Sequence, residues 1–169
     1  MEKTLNKITN SSVITFDLED LYPKGERVIY DLKINLFQEL ILKEKDFREF
    51  VKQYDWKQYE GKFVNIICSV DAIVPMWAFM VVLSNIQPFA RKVIIGTSQE
   101  LESELYRELF NAFDWQQFDA QKVVIKGCSK IQIPNFVYGE VTSRLAPIAK
   151  LIMFGEACSS VPVYKKPKN

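Results

Sequence analysis

Apolar residues follow an irregular pattern over roughly the first 60 positions and a regular one after them. Val13–Phe16 predicts a short strand, whereas 27–42 mixes strand-like and helix-like pieces. Residues 43–54 predict an amphipathic helix, because apolar side chains recur there at helical spacing. These side chains are Phe47, Phe50, Val51 and Tyr54. The polar stretch 55–62 then indicates the boundary between an N-terminal segment and the core of the protein.

Strands and helices alternate from residue 63 onwards. Short apolar runs predict strands, and helices are predicted between them, two of which open on a proline. The strands are expected at 63–67, 93–95, 123–125 and 148–154, and the helices at 75–86, 98–113 and 134–145. This alternation predicts an α/β fold with a mostly parallel sheet and helices on both of its faces. We expect a single domain, 1–169, in which an N-terminal α+β segment (1–60) packs on a core (61–169).

Part of this core is repeated. The pattern Pro-φ-Ala-basic-x-φ-φ-φ-Gly, where φ is apolar, occurs at 88–96 and again at 147–155. The same separation along the chain, called here the repeat spacing, relates the pairs Pro75/Pro134, Pro88/Pro147 and Gly96/Gly155. Cys68-Ser69 corresponds to Cys128-Ser129 once a gap of one residue is allowed. The matched spacings predict two βαβ units related by duplication, at about 63–96 and 122–155.

Composition excludes several classes of function. The chain has 22 Lys and Arg against 21 Asp and Glu, a net charge of +1, so neither nucleic acid nor a membrane is an expected partner. It has no histidine, which excludes a Ser-His-Asp triad, a Cys-His pair and histidine-ligated zinc or haem. The longest apolar run, 72–83, is too short to span a bilayer. No secretion signal is visible, so we expect a cytoplasmic protein with reduced thiols.

The three cysteines carry the candidate chemistry. Cys68, Cys128 and Cys158 each follow a predicted strand, and the carboxyl ends of parallel strands form the edge where α/β proteins bind ligands. Thiolates select soft or borderline ions such as zinc or iron. A carboxylate would complete a four-coordinate set, with Asp71 as the first candidate and Glu156 as its competitor. The sequence therefore predicts a metal site formed by Cys68, Asp71, Cys128 and Cys158, holding zinc or iron.

Two other interpretations stay open at this stage. One cysteine could act as the nucleophile of a metal-free enzyme, activated by a helix N-terminus or by Lys126. Free cysteines are also common in protein cores, which would leave a structural or interaction protein that forms a homodimer through its N-terminal segment. Trp56, Tyr59 and Trp115 would then mark either a subunit interface or the packing of the domain on itself.

Several motifs carry a resemblance that covers nearly the whole chain. They include Phe16-Asp17-Leu18-Glu19-Asp20, Cys68-Ser69-x-Asp71, Val124-Ile125-Lys126-Gly127-Cys128-Ser129 and Met153-Phe154-Gly155-Glu156-x-Cys158-Ser159. With these motifs the chain resembles an uncharacterised bacterial family, a domain of unknown function common in Bacteroidetes. The resemblance implies no established reaction. It implies an accessory role in iron–sulfur or sulfur metabolism, with iron–sulfur assembly proteins as partners. A Cys/Asp site resembles the ligand type of zinc-containing sulfur-acceptor proteins in that pathway, but these have a different fold, so the likeness is an analogy.

Overall fold

A computed structural model of the chain describes residues 13–126, 130–156 and 158–167. The chain forms two compact units. Unit 1 comprises Met1–Pro23 and Leu105–Asn169, and unit 2 comprises Lys24–Glu104, so unit 2 is inserted into the chain of unit 1. Neither boundary coincides with the division predicted at residue 60, and a single domain over 1–169 stays a prediction.

The described residues alternate between strands and helices, which confirms the α/β class. In chain order they form β1 (Val13–Phe16), β2 (Arg27–Asp31), β3 (Leu36–Phe37), β4 (Ile41–Leu42), α1 (Glu44–Gln53), β5 (Phe63–Ile67), α2 (Met76–Ile86), β6 (Lys92–Ile95), α3 (Ser98–Ala112), β7 (Lys122–Ile125), α4 (Asn135–Leu145), β8 (Leu151–Phe154) and β9 (Val161–Lys165). Single 3₁₀ turns occur at Leu18–Leu21, Leu32–Asn35, Trp56–Tyr59 and Trp115–Phe118. The mixed pattern of 27–42 thus corresponds to a strand, a 3₁₀ turn and a short hairpin.

The parallel strands belong to two sheets, not to the one sheet that the sequence pattern predicted. Unit 1 has the order β1-β7-β8-β9, with β9 antiparallel at one edge, and unit 2 has the parallel order β2-β5-β6. Strands β3 and β4 form a separate antiparallel hairpin. Each predicted βαβ unit recruits a strand that precedes it in the chain, β1 or β2. Each copy thereby completes its own sheet and its own core.

Equivalent hydrogen bonds confirm the internal repeat. The N–H of Gly96 donates to the carbonyl of Ile66, and that of Gly155 donates to Ile125, both at 3.0 Å. The residue that leads into each first strand has a positive φ, +71° at Gly61 and +55° at Ala120. Their N–H groups donate to Phe89 and Ile148 respectively, again at 3.0 Å. All these pairs keep the repeat spacing, so the two copies share their turns as well as their strands.

The repeat begins earlier than the sequence pattern indicated. Tyr54-Asp55-Trp56 and Phe113-Asp114-Trp115 are also related by the repeat spacing, and each aspartate caps a 3₁₀ turn by accepting a backbone hydrogen bond. The indole N–H of each tryptophan donates to a carbonyl five residues earlier, at 2.9 Å for Trp56 and 2.8 Å for Trp115. Trp56 and Tyr59 are buried within unit 2. The polar stretch 55–62 is therefore part of the packed structure and not a linker.

Matching faces of α2 and α4 fill the two cores. Each helix buries every fourth residue, because side chains four positions apart lie on the same face. The buried residues are Ala78, Val82 and Ile86 in α2, and Val137, Val141 and Leu145 in α4. Full burial of a large aliphatic side chain contributes roughly 1.5–3 kcal/mol relative to exposure. The strand ends are thus held on two separately packed scaffolds of the same design.

Candidate functional site

Asp31 ties together the carboxyl ends of two strands in unit 2. It is the last residue of β2, and its Oδ1 accepts hydrogen bonds from the backbone N–H of Lys33 and of Ser69, both at 3.0 Å. Partial burial acts to raise the pKa of Asp31, but hydrogen bonds from Ser69 and Lys33 outweigh it and hold that pKa below the ordinary 3.8. The carboxylate is therefore ionised at neutral pH and fixes the loop after β5.

That loop carries one of the predicted ligands next to its candidate carboxylate. Cys68 directly follows β5, is half-buried, and is a free thiol whose S–H donates to the carbonyl of Val70 at 3.6 Å. Asp71 is exposed three residues further along. The structure thus places Cys68 and Asp71 in one loop at the carboxyl edge of the sheet in unit 2.

The corresponding edge of unit 1 is charged. Asp17 follows β1; its Oδ1 accepts from the N–H of Glu19 at 3.0 Å, and its Oδ2 lies 2.7 Å from the Nζ of Lys126. The hydrogen bond to Asp17 and its negative charge raise the pKa of the Lys126 ammonium, and the charges of Glu156 and Glu19 add to this. Glu19 also accepts a hydrogen bond from the N–H of Lys130. The Lys126 ammonium thus pairs with Asp17 at this edge, and the negative charges of Glu19 and Glu156 also act on it.

Cys158 lies in the turn that follows β8. It is exposed and is a free thiol. The turn starts at Gly155, whose φ of +121° L-residues rarely adopt, and a Cβ there would lie 3.3 Å from the carbonyl oxygen of Ser159. The carbonyl of Glu156 accepts from the N–H of Ser159 at 2.9 Å, which closes the turn. Cys158 is thus presented to solvent at the same end of the sheet as Asp17 and Lys126.

The predicted metal ligands are divided between the units. Cys68 and Asp71 belong to unit 2, Cys158 belongs to unit 1, and Cys128 lies outside the described residues. Within the part of the chain that the structure describes, no three Cys, Asp or Glu residues form a group that could hold a metal ion. The prediction that all four residues share one site stays a prediction. The negative charge of the competing carboxylate, Glu156, contributes to the raised pKa of Lys126.

Sequence reasoning missed the two aspartates that organise these edges. Phe16-Asp17-Leu18 and Tyr30-Asp31-Leu32 share the pattern aromatic-Asp-Leu. In both, the aspartate accepts a backbone hydrogen bond that starts a 3₁₀ turn at the end of a parallel strand. The two motifs lie much closer together in the chain than the repeat spacing. That difference hid the signal. Because unit 2 is inserted directly after the first motif, the two motifs come close together in the chain, whereas later equivalent positions of the two units lie one repeat spacing apart.

Among the described residues, no helix is both long and apolar enough to cross a membrane.

Comparison with known proteins shows the family of the chain. Searches of curated proteins and of solved structures gave no match. A family model described as "Protein of unknown function (DUF2480)" matches residues 2–166, nearly the whole chain. The chain therefore belongs to the DUF2480 family, a family of unknown function.

Proposed function

We propose that the protein is a cytoplasmic metal-binding protein that holds zinc or iron through cysteine thiolates. The ligands are Cys68, Cys128 and Cys158, with Asp71 as the carboxylate. Its role is accessory, in iron–sulfur or sulfur metabolism, where zinc and iron are bound by thiolates. In this role the protein acts as an accessory and not as an enzyme of a known class.

One observation carries this proposal: in both copies of the duplicated unit, the sequence has Cys-Ser shortly after the first strand of the βαβ unit. Cys68-Ser69 follows β5, and Cys128-Ser129 follows β7 in the sequence. These copies differ at many other polar positions, so the shared thiols at the ligand-binding edge support a common use. Cys158, exposed after β8, adds a third thiol at the edge of unit 1.

The surroundings of Cys68 favour a metal over a nucleophilic cysteine. A nucleophilic thiol needs a nearby cation or base that favours the thiolate. The S–H of Cys68 instead donates to the backbone carbonyl of Val70, which is neither a cation nor a general base. A metal ion removes this requirement, because binding of the ion itself displaces the thiol proton.

Metal analysis of the full chain tests the proposal. Protein purified anaerobically without chelators is analysed for zinc and iron per chain, alongside Cys68→Ser, Cys128→Ser, Cys158→Ser and Asp71→Asn. We expect one metal ion per chain, loss of that ion in each cysteine variant, and weaker retention against a chelator in the aspartate variant. Ser159→Ala, next to Cys158, is the matched control and should keep its metal.

Two results would overturn the proposal. One is wild-type protein with far less than one ion per chain after reconstitution with zinc or ferrous iron. The other is full metal content in Cys68→Ser, which would remove that thiol of unit 2 from the ligand set. A single fast-alkylating cysteine in metal-free wild-type protein would favour the thiol enzyme in its place.

A further inference from the structure

An exposed apolar patch lies on unit 2. It comprises three residues of the β3–β4 hairpin and three residues in α2 or just before it. They are Phe37, Leu40, Ile41, Ile73, Met76 and Met80, each between 47% and 91% exposed. The patch is continuous: Phe37 pairs with Ile41 across the hairpin, and Ile41 forms a β-bridge with Ile73. Met76 and Met80 then follow on one face of α2, four residues apart.

The fold does not require these apolar residues. The internal repeat shows this, because the residues one repeat spacing later occupy the same places in unit 1. Ile73, Met76 and Met80 correspond to Gln132, Asn135 and Gly139, all exposed. The buried faces of the two helices remain apolar in both copies. Unit 2 thus carries large apolar side chains at positions where the same scaffold tolerates small or polar ones.

The size of the patch fits a specific interface. At these exposures the six residues present on the order of 800 Å², which is the area one partner contributes to a standard protein interface. Exposed apolar patches on monomeric proteins rarely exceed a few hundred Å². Part of the patch is also rigid, since Gln38 and Glu39, with φ of +53° and +58°, close the hairpin in a tight turn. A rigid surface loses little conformational entropy on binding.

Several charges beside the patch have partners within the chain. Lys33 and Glu39 lie 3.1 Å apart at the hairpin, and Glu44 and Arg48 lie 2.8 Å apart at the start of α1. The ammonium of Lys43 lies 3.2 Å from the centre of the Phe37 ring, where the π-face attracts it. A strongly charged partner would therefore gain little here. In a symmetric dimer this surface would face its own copy, and unpaired like charges would then repel each other. A surface whose positive and negative charges are already balanced avoids that repulsion.

We propose that the apolar patch of unit 2 is the interface of a two-fold symmetric homodimer. In such an interface the same surface of both copies meets, so each patch residue is buried in both copies. The hairpin and the start of α2 of one copy face those of the other. The unbranched side chains of Met76 and Met80 adapt to irregular contacts. The proposal does not depend on a bound metal.

Sedimentation equilibrium of the full chain, in buffer with a chelator, tests this dimer. Wild-type protein should sediment at about twice its chain mass of 19.7 kDa. Ile73→Gln/Met76→Asn introduces the residues that unit 1 carries at these positions and should raise the dissociation constant at least about 100-fold. Val161→Thr/Val163→Thr is the control, since it reduces apolar surface at exposed positions of β9 in unit 1. The control should remain dimeric.

A second variant keeps the test decisive if the first one folds poorly. Leu40→Lys changes only the tip of the hairpin and should also give monomers, with an unchanged far-UV circular dichroism spectrum. Monomeric wild-type protein would overturn the proposal and leave the patch to a different protein partner. A dimer that survives both patch variants would overturn it as well, because the interface would then lie elsewhere. The presence of chelator separates this result from the metal analysis.

Discussion

Units 1 and 2 share a scaffold and differ in what they expose. Both contain three parallel strands, an aspartate that caps a 3₁₀ turn at the end of β1 or β2, and a helix that buries every fourth residue. At the carboxyl edge, unit 1 has Lys126 among carboxylates, whereas its counterpart in unit 2 is the apolar Ile67. Unit 2 instead carries the apolar patch. Duplication thus kept the buried positions alike, where packing limits the choice of residue, and allowed the surfaces to take different roles.

The largest expected effect comes from removing equivalent core side chains in the two units. Ile86→Ala in unit 2 and Leu145→Ala in unit 1 each create a cavity at a fully buried position at the end of the helix. We expect each to lower the free energy of unfolding by about 2–5 kcal/mol. Urea denaturation followed by circular dichroism, at one fixed protein concentration, measures both. A near-neutral effect in either unit would contradict their structural equivalence, and one shared transition would support the predicted single domain.

A smaller effect is expected at the turn that leads into each first strand. Gly61 and Ala120 have the same left-handed conformation, but only glycine adopts it without steric cost. Nothing lies within 4 Å of a Cβ added at Gly61, so Gly61→Ala should cost about 1 kcal/mol through backbone strain alone. Ala120→Gly should have the opposite sign, a gain of at most about 1 kcal/mol. Thermal unfolding measures the change in melting temperature of each variant. Changes of equal sign would show that the two turns differ.

The contribution of the capping Asp31 to stability depends on pH. Because the native pKa of Asp31 is lowered, its carboxylate stabilises the fold above the unfolded-state pKa of about 3.9. This stabilisation disappears as the pH falls through the lower native pKa. Asparagine still caps the turn, so Asp31→Asn should cost about 1 kcal/mol near neutral pH and nothing at acid pH below that native pKa. Urea denaturation at both pH values measures the difference.

Asp17→Asn is the matched variant in unit 1. It removes the ion pair with Lys126, a partly exposed pair whose contribution is small and falls as salt is added. We therefore expect salt to reduce the cost of Asp17→Asn and to leave that of Asp31→Asn nearly unchanged. Equal salt dependence would mean that both carboxylates act through exposed charge pairs.

Much of the repeated core could be predicted because its signals are local. The repeat spacing, the prolines before α2 and α4, and Gly96 and Gly155 after the second strands all mark turns that short stretches of chain specify. Trp56 was ambiguous, since its neighbours are polar. Its burial depends on an aromatic cluster contributed by distant parts of unit 2, including Tyr30. No local pattern reports such long-range packing.

The candidate site could be predicted only in part. The alternation of strands and helices was enough to predict that Cys68, Asp71 and Cys158 follow parallel strands. The roles of Asp17 and Asp31 were not readable, because their hydrogen bonds to Lys126 and Ser69 join segments 109 and 38 residues apart. Only a folded sheet brings such partners together.

The sequence by itself determined the α/β class, the duplicated βαβ unit and the absence of histidine chemistry, because periodicity, turn residues and composition act over short distances. The tertiary structure decided that the copies complete two sheets and not one, and that unit 2 is inserted within unit 1. It also decided that Cys68 and Cys158 belong to different units. Each sheet is completed by a strand that lies far away in the chain and helps to bury the face of the sheet. Which strand does so depends on packing over the whole chain, so local sequence patterns do not predict it.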